Sequence, residues 1–413
     1  MNRIILIGNG FDLAHGLKTS YKDFMDWYWD EWIKKLQKSH STNESDILCK
    51  FVSKDTATSW DRIMSHINKQ YWKEILKELK QYPRSIAITQ CSFLQNICQF
   101  IENNNWVDVE HEYYQLLKNV TFESEENDFT CTELNHQLSF LKNKLIDYLN
   151  LENKSSQIKK ELNERIYSPI RFQDISVHGR DAFKVHIEKW LTCQDTDEWN
   201  LRLSQYNVDY SDRIACANEL VRAKSDFKSK ELPELKDEHF PPEIRLPDNI
   251  LLLNFNYTNT AKLYLKEKSG FELNHIHGSL ENPNGIIFGY GDEMDDEYPV
   301  IKKRNDNELL KNMKTIRYSE TDNYRKMLTF IESAPYQIFI MGHSCGNSDR
   351  TLLNTLFEHD NCVSIKPFYH KKEDGTDNYI ELVQNISRNF TDMKKMRDRV
   401  VNKTYCEPLV GDK

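Results

Sequence analysis

A mostly parallel α/β sheet interrupted by a large helical insertion is the fold the sequence predicts, and three observations predict it. Residues Ile4–Ile7 form a short apolar run that breaks straight into the turn Gly8-Asn9-Gly10. Glycine then almost vanishes, with only Gly179 between Leu17 and Ser269, while Tyr21–Leu36 and Leu134–Leu149 show helix-like apolar spacing. Short apolar runs typical of buried strands follow at Ile250–Phe255, Ile286–Phe288, Gln337–Met341 and Val363–Ile365. Together they describe one discontinuous Rossmann-like domain over 1–30 and 248–413, with a helical domain inserted over 31–247. The insertion ends in a connector bearing Pro233, Pro241, Pro242 and Pro247, which interrupt helix.

Bulk properties fit that organisation. At 413 residues the chain exceeds what one core usually organises. Hydrophobic residues are 39% and charged residues 29%, which suits a folded chain with long polar helical faces. A net charge of −9 disfavours bulk attraction to nucleic acid or to an anionic membrane, and leaves open a local basic groove. The opening apolar run is too short for a signal-peptide core, and no stretch reaches the roughly 18 apolar residues of a membrane span. A cytoplasmic protein without a membrane partner is expected. Nine cysteines between Cys49 and Cys406 include no C-x-x-C pair, so reduced thiols are expected and no metal site.

The first strand runs into Gly8-x-Gly10, where glycines at a strand-to-helix turn let backbone N–H groups approach a phosphate without a Cβ in the way. Gly16 falls too late to complete G-x-G-x-x-G, so the dinucleotide fingerprint is not met and a merely structural tight turn stays open. The next strand, Ile250–Phe255, delivers Asn256-Tyr257-Thr258-Asn259-Thr260 at its carboxyl end, where open α/β sheets bind ligands. Asn256 and Asn259 could equally cap a helix beginning near Ala261. In Leu273-Asn274-His275-Ile276-His277-Gly278 the alternation would put His275 and His277 on one strand face; without a third ligand at fixed spacing they read as packed or hydrogen-bonded residues rather than as metal ligands.

The string Gly8-Asn9-Gly10-Phe11-Asp12 through Phe24 resembles the opening signature of the AbiH family of bacterial abortive-infection proteins. More distantly it is similar to the sirtuin opening G-A-G-I-S, with Asp12 where sirtuins carry serine. The sirtuin resemblance implies a sirtuin-like sheet, NAD as ligand or substrate, and a site in which Asn256 and His277 match the catalytic Asn and His, while Thr258 replaces the family's acid. Gly8, Asn9, Gly10, Phe11 and Asp12 would contact the cofactor. An acid at position 12 could reach a ribose hydroxyl but would repel phosphate, so backbone amides would have to hold the pyrophosphate.

Gly342-His343-Ser344-Cys345-Gly346, after the run Ile338–Met341, matches G-x-S-x-G literally. A nucleophile elbow drives from the serine directly into a helix, whereas here the chain continues as a loop and Asp349 is placed to cap a helix over Arg350–Phe357. A serine hydrolase using Ser344 is therefore the weaker reading. In the sirtuin-like one, Gly342, Ser344 and Asp349 line a ribose-binding loop. Within the insertion, Trp106-Val107-Asp108-Val109-Glu110 resembles the W-x-D-x-E element of AbiH-like proteins. Asp108 and Glu110, two apart, do not share a helix face and read first as an acidic helix start over a buried Trp106, with a site role as the alternative. The acidic segment Gly289–Glu293 reads as a solvated turn that could otherwise bind a cation or cover the pocket.

Family resemblance implies anti-phage defence, with a phage-derived trigger or partner defence protein and a homo-oligomer as candidate associations. The chemistry expected is hydrolysis of the nicotinamide–ribose bond of NAD by Asn256 and His277. Nucleotide sensing without turnover, and a nucleic-acid-degrading effector, are the alternatives.

Overall fold

The computed structural model describes residues 1–413 apart from 40–42, 55–59, 68, 70, 82–85, 105–107, 123–128, 153–155, 194–195, 207–221, 229–235, 268 and 412–413. Trp106 and Pro233 fall outside the described residues. The strands, in chain order, are β1 (Asn2–Ile7), β2 (Asn43–Ser45), β3 (Cys49–Ser53), β4 (Ile86–Gln90), β5 (Ile250–Asn254), β6 (Phe271–His275), β7 (Tyr336–Met341) and β8 (Cys362–Phe368). Five of them form the core sheet in the order β6-β5-β1-β7-β8, every pair parallel. Renumbered within that sheet the order is 3-2-1-4-5, the Rossmann arrangement, in which the winding direction reverses between β1 and β7.

Why these segments are strands follows from burial on both faces. Every residue of β1, β5, β7 and β8 is buried, as β-branched and apolar runs in a covered parallel sheet should be. Alternation then splits the core in two. Ile4, Leu6, Leu251, Leu253, Ile338 and Ile340 pack with the helices Asn323–Ser333, Arg350–Glu358 and Tyr379–Arg388. Ile5, Ile7, Leu252, Phe339 and Met341 pack on the opposite side with Phe11, Tyr264 and the helix Lys160–Ile166.

Two compact units contain the chain. The sheet unit comprises Met1–Leu17, Lys154–Ile287 and Tyr318–Lys413; the second comprises Lys18–Asn153 and Phe288–Arg317. The described residues of 154–247, assigned by sequence to the insertion, thus lie with the sheet, because Phe183 and Ile187 of the helix Arg180–Thr192 bury against Val363 at the start of β8. In the second unit, Ser20 and Asp23 close a capping box at the start of the helix Tyr21–Lys38. That helix buries Phe24, Trp29 and Trp32, with Trp29 stacked on Trp72 at 5.5 Å.

Four local expectations need correction. Ile286–Phe288 is not a strand: it follows the 3-10 turn Pro283–Gly285 and only Ile287 makes a sheet-like bond, to the His277 carbonyl. The strand β6 ends at His275, and the turn over Ile276–His277 with Gly278 at φ +83° breaks the alternation, so the two histidines do not share a face. An antiparallel sheet in the order β2-β3-β4 lies within the segment read as helical. Gly289–Glu293 is not a solvated turn, for Tyr290 is 1% exposed and stacks on Tyr114 at 4.0 Å. No helix among the described residues is long and apolar enough to cross a membrane.

Candidate functional site

Register places the site. Ile7 is level with Asn254 and with Met341, and Asn254 with His275, so four strands end at one height. The loops that leave them, beginning at Gly8, Phe255, Ile276 and Gly342, therefore emerge side by side at the carboxyl edge, around the β1/β7 switch point where sheets of this order bind ligands.

The glycines interlock two of those loops. Gly342 has φ +78°, and a Cβ on it would lie 2.1 Å from the Phe11 nitrogen. A Cβ on Gly8 would lie 2.5 Å from His343 Cα, and one on Gly10 2.8 Å from Gly342 Cα. Backbone bonds seal the contact: Gly8 N–H donates to Met341 O, Gly10 N–H to Gly342 O and Phe11 N–H to Gly8 O. The amides that sequence reasoning offered to a phosphate thus already have carbonyl acceptors. The helix that follows, Asn9–Ala14, has only six residues. Asn9 is exposed, whereas Phe11 is fully buried and packs edge-on against Tyr264 at 5.2 Å.

Two ties join this turn to the loop after β5. Asn256 Nδ2 donates to Gly8 O at 3.0 Å, and Thr258 Oγ1 donates to Asp12 Oδ2 at 2.5 Å. Asp12 is 1% exposed, and its Oδ1 has no hydrogen-bond partner. Burial drives its carboxyl pKa up, against the nearby hydroxyl and amide donors that pull it down. Asn254 organises the same loop, accepting from Asn256 N–H and donating to Thr258 O. His275 Nδ1 lies 3.2 Å from Asn254 Nδ2, and burial lowers the pKa of that ring. Asn259 occupies the N-cap of the 3-10 turn Thr260–Tyr264 but makes no side-chain cap bond, donating instead to Glu281, and the Asn256 side chain goes to Gly8 rather than to a helix end.

Beside them lies a His-Asp-His cluster. His277 Nε2 is 3.0 Å from the Tyr318 hydroxyl and 3.3 Å from Asp349 Oδ1. Asp349 Oδ2 faces His343 Nε2 at 3.6 Å, an ion-pair rather than a hydrogen-bond distance. His343 Nδ1 accepts the Cys345 backbone N–H at 3.0 Å, so in the neutral ring the proton sits on Nε2, toward Asp349. Phe255 fills the angle between the rings, 5.2 Å from His277 and 4.1 Å from His343. All three polar residues are buried, at 4%, 7% and 8% exposure for His277, His343 and Asp349. Asp349 does occupy the N-cap of Arg350–Glu358, but its side chain makes no cap bond because it is turned to the histidines. A carboxylate between two imidazoles can fix their orientation and support proton transfer through either.

Residues 4–370 match the family described as bacteriophage abortive infection AbiH. The chain belongs to the AbiH family. That membership carries a bacterial abortive-infection, anti-phage role. No curated protein and no solved structure matches the chain.

In this AbiH protein, Gly8, Gly10, Asp12, Asn256, His277, Gly342, Ser344 and Asp349 lie on the segments that follow the strands at one sheet edge. Ser344 is exposed, its carbonyl accepting from Asn385. The chain after it passes through left-handed Cys345 (φ 55°) and the 3-10 turn Asn347–Asp349 before any α-helix, which is not a nucleophile elbow. Asp108 and Glu110 belong to the second unit. Asp108 Oδ1 accepts the His111 N–H at the start of the helix Val109–Phe122. Glu110 is buried, accepting from Gly289 N–H and pairing with Lys314 at 2.7 Å. Among the described residues, no group of three His, Cys, Asp or Glu could hold a metal ion.

Sequence reasoning missed His343, Tyr318, Asn254 and Phe255. Asn254 had a signal, a lone amide closing an apolar strand. His343 lay inside the quoted serine motif but was passed over for its neighbour, and Tyr318 had no local signal at all.

Proposed function

We propose that this AbiH protein hydrolyses the nicotinamide–ribose bond of NAD as its anti-phage activity. The observation that carries the reading is His277 oriented by Asp349 at the same carboxyl edge as Asn256, in a parallel sheet of Rossmann order. The His277 imidazole takes a proton from water as the water oxygen bonds to ribose C1′. The glycosidic electron pair leaves with the pyridinium ring, which departs as neutral nicotinamide and needs no general acid. The products are nicotinamide, ADP-ribose and a proton, and Asn256 Oδ1 holds a ribose hydroxyl while Nδ2 stays on Gly8.

A second feature supports the sirtuin-like comparison. Relative to that pattern the chain carries an acid for a hydroxyl at position 12 and a hydroxyl for an acid at position 258. Those two residues share one hydrogen bond, so one acid and one hydroxyl are retained at the junction. The pyrophosphate then has to be held by groups other than the Gly8, Gly10 and Phe11 amides, whose acceptors are in place.

Nucleotide sensing without turnover is the alternative, favoured by the double engagement of His277 Nε2 by Tyr318 and Asp349. One experiment separates them: purified protein, with and without lysate of phage-infected cells, is incubated with NAD and nicotinamide is measured. Hydrolysis predicts release that falls by about a hundredfold or more in His277→Ala and Asn256→Ala and persists in Ser344→Ala. Thermal stabilisation by intact NAD without release would establish sensing instead. No release and no stabilisation, with both alanine variants still protecting cells, overturns both.

A further inference from the structure

The sheet unit holds a second polar feature that the proposed reaction does not use. On the side of the sheet carrying Ile5 and Phe339, the strands β1, β7 and β8 bear Arg3, Gln337, Ser364 and Lys366, each no more than 2% exposed. Parallel strands buried on both faces are ordinarily apolar on both. Part of this seam is structural: the Arg3 guanidinium donates to Gln337 Oε1 and to the Ile166 and Ser168 carbonyls, and Gln337 Nε2 donates to Ser364.

The Lys366 end is different, because it opens into a cavity of about 360 Å³ lined by Phe339, Phe368, Lys366 and Asp174, with Arg165 and Arg171 toward its rim. That volume lies within the roughly 300–1,000 Å³ of small-molecule sites. Lys366 Nζ donates to Asp174 Oδ2 at 2.9 Å, with both side chains 2% exposed. The other oxygen, Asp174 Oδ1, is buried without any hydrogen-bond partner, and Lys366 has N–H donors beyond the one it gives to Oδ2. A buried ion pair of this kind is seldom better for stability than apolar residues of the same volume. An orphaned carboxylate oxygen adds a further cost to the folded chain.

We propose that this cavity binds the base of a nucleoside. Asp174 Oδ1 and the Lys366 ammonium present an acceptor next to a donor, and a nucleobase edge offers the complement: an amino or imino N–H beside a ring nitrogen or carbonyl oxygen. Phe339 and Phe368, an edge-to-face pair 5.2 Å apart with the Arg3 and Arg165 guanidiniums over their rings, supply the apolar part of the lining against which a ring edge can pack. Charge decides against a nucleotide. The lining carries four carboxylates against three cations, and Arg171 and Arg165 both face Glu407, at 3.0 and 3.6 Å. No surplus positive charge remains for a phosphate, so the ligand is neutral.

Isothermal titration of the full chain with adenosine, cytidine, guanosine and uridine, and with the four monophosphates, tests this. At least one nucleoside binds with Kd below ~1 mM, and its monophosphate binds no more tightly. Asp174→Asn weakens that binding about tenfold or more. Because a change in the buried pair can itself disturb folding, Ser168→Trp, which fills the cavity from its partly exposed rim, is the second variant; it abolishes binding while the urea midpoint stays near wild type. His277→Ala leaves binding unchanged, which keeps this cavity separable from the carboxyl-edge site. Failure of every nucleoside to bind the wild type at ~1 mM, or binding indifferent to Asp174→Asn and Ser168→Trp, overturns the proposal.

Discussion

Gly16 and Gly342 offer a matched test of how the carboxyl-edge loops are held. Their φ angles, +79° and +78°, are alike, but a Cβ on Gly16 would meet nothing within 4 Å whereas one on Gly342 would lie 2.1 Å from backbone nitrogen. An L-residue at this φ costs roughly 1–2 kcal/mol, so Gly16→Ala should lose about that and no more. Gly342→Ala carries the same loss plus the overpacking term, roughly 1–3 kcal/mol, for a total of about 2–5 kcal/mol. The clash is against backbone, so it relaxes only by parting the Gly8–Phe11 turn from the loop after β7, which would shift the Gly8 carbonyl that Asn256 holds. Equilibrium urea unfolding of both variants measures the difference, and nicotinamide release reports whether only Gly342→Ala disturbs the site. Equal losses within ~0.5 kcal/mol would refute the interlocked-loop account.

Three further outcomes are expected. Glu110→Ala leaves Lys314, 1% exposed, buried without its carboxylate, and should cost about 3–5 kcal/mol in urea unfolding, much of it recovered in Glu110→Ala with Lys314→Met; a loss in the single variant below ~1 kcal/mol would remove the pair from the account. Burial lowers His186 to about 4, below the ~6.5 of the unfolded chain, so stability is full above that value and falls as pH drops toward 4, by on the order of 3 kcal/mol. His186→Gln should flatten the pH 7 to 4.5 stability profile, and an unchanged slope would contradict the assignment. Asp12 is shifted the other way: its pKa is raised by burial, so its native-state preference for the protonated form is lost as pH rises. Asp12→Asn, whose amide oxygen can still accept from Thr258, should therefore gain stability relative to wild type between pH 4.5 and 7.5, measured by urea midpoints, and a growing deficit would show that the ionised carboxylate is the stabilising form.

Much of the sheet was legible because its cause is local. Ile4–Ile7, Ile250–Phe255 and Gln337–Met341 read as strands because burial on both faces demands unbroken apolar runs, and the observed strands differ from these bounds by a residue or two at their ends. β8 read short, since Lys366 and Pro367 end the apolar signal; an edge strand tolerates the proline, and Asp174 pairs the lysine from elsewhere in the chain. The strand pattern of β2, β3 and β4 was lost inside a long polar segment.

The opening glycine motif marks the division most clearly. Sequence alone determined that Gly8 and Gly10 end a buried strand in a turn needing no side chain, and that the motif belongs with AbiH proteins. Only the tertiary structure decided what fills the space those hydrogens leave: the backbone of Gly342 and His343, more than 300 residues away. The same holds for Asp349 between His277 and His343, and for Asp12 under Thr258. Periodicity and turn chemistry act over a few residues and can be read along the chain. Which buried polar groups satisfy one another depends on strand order and register, and those are settled only when the whole sheet closes.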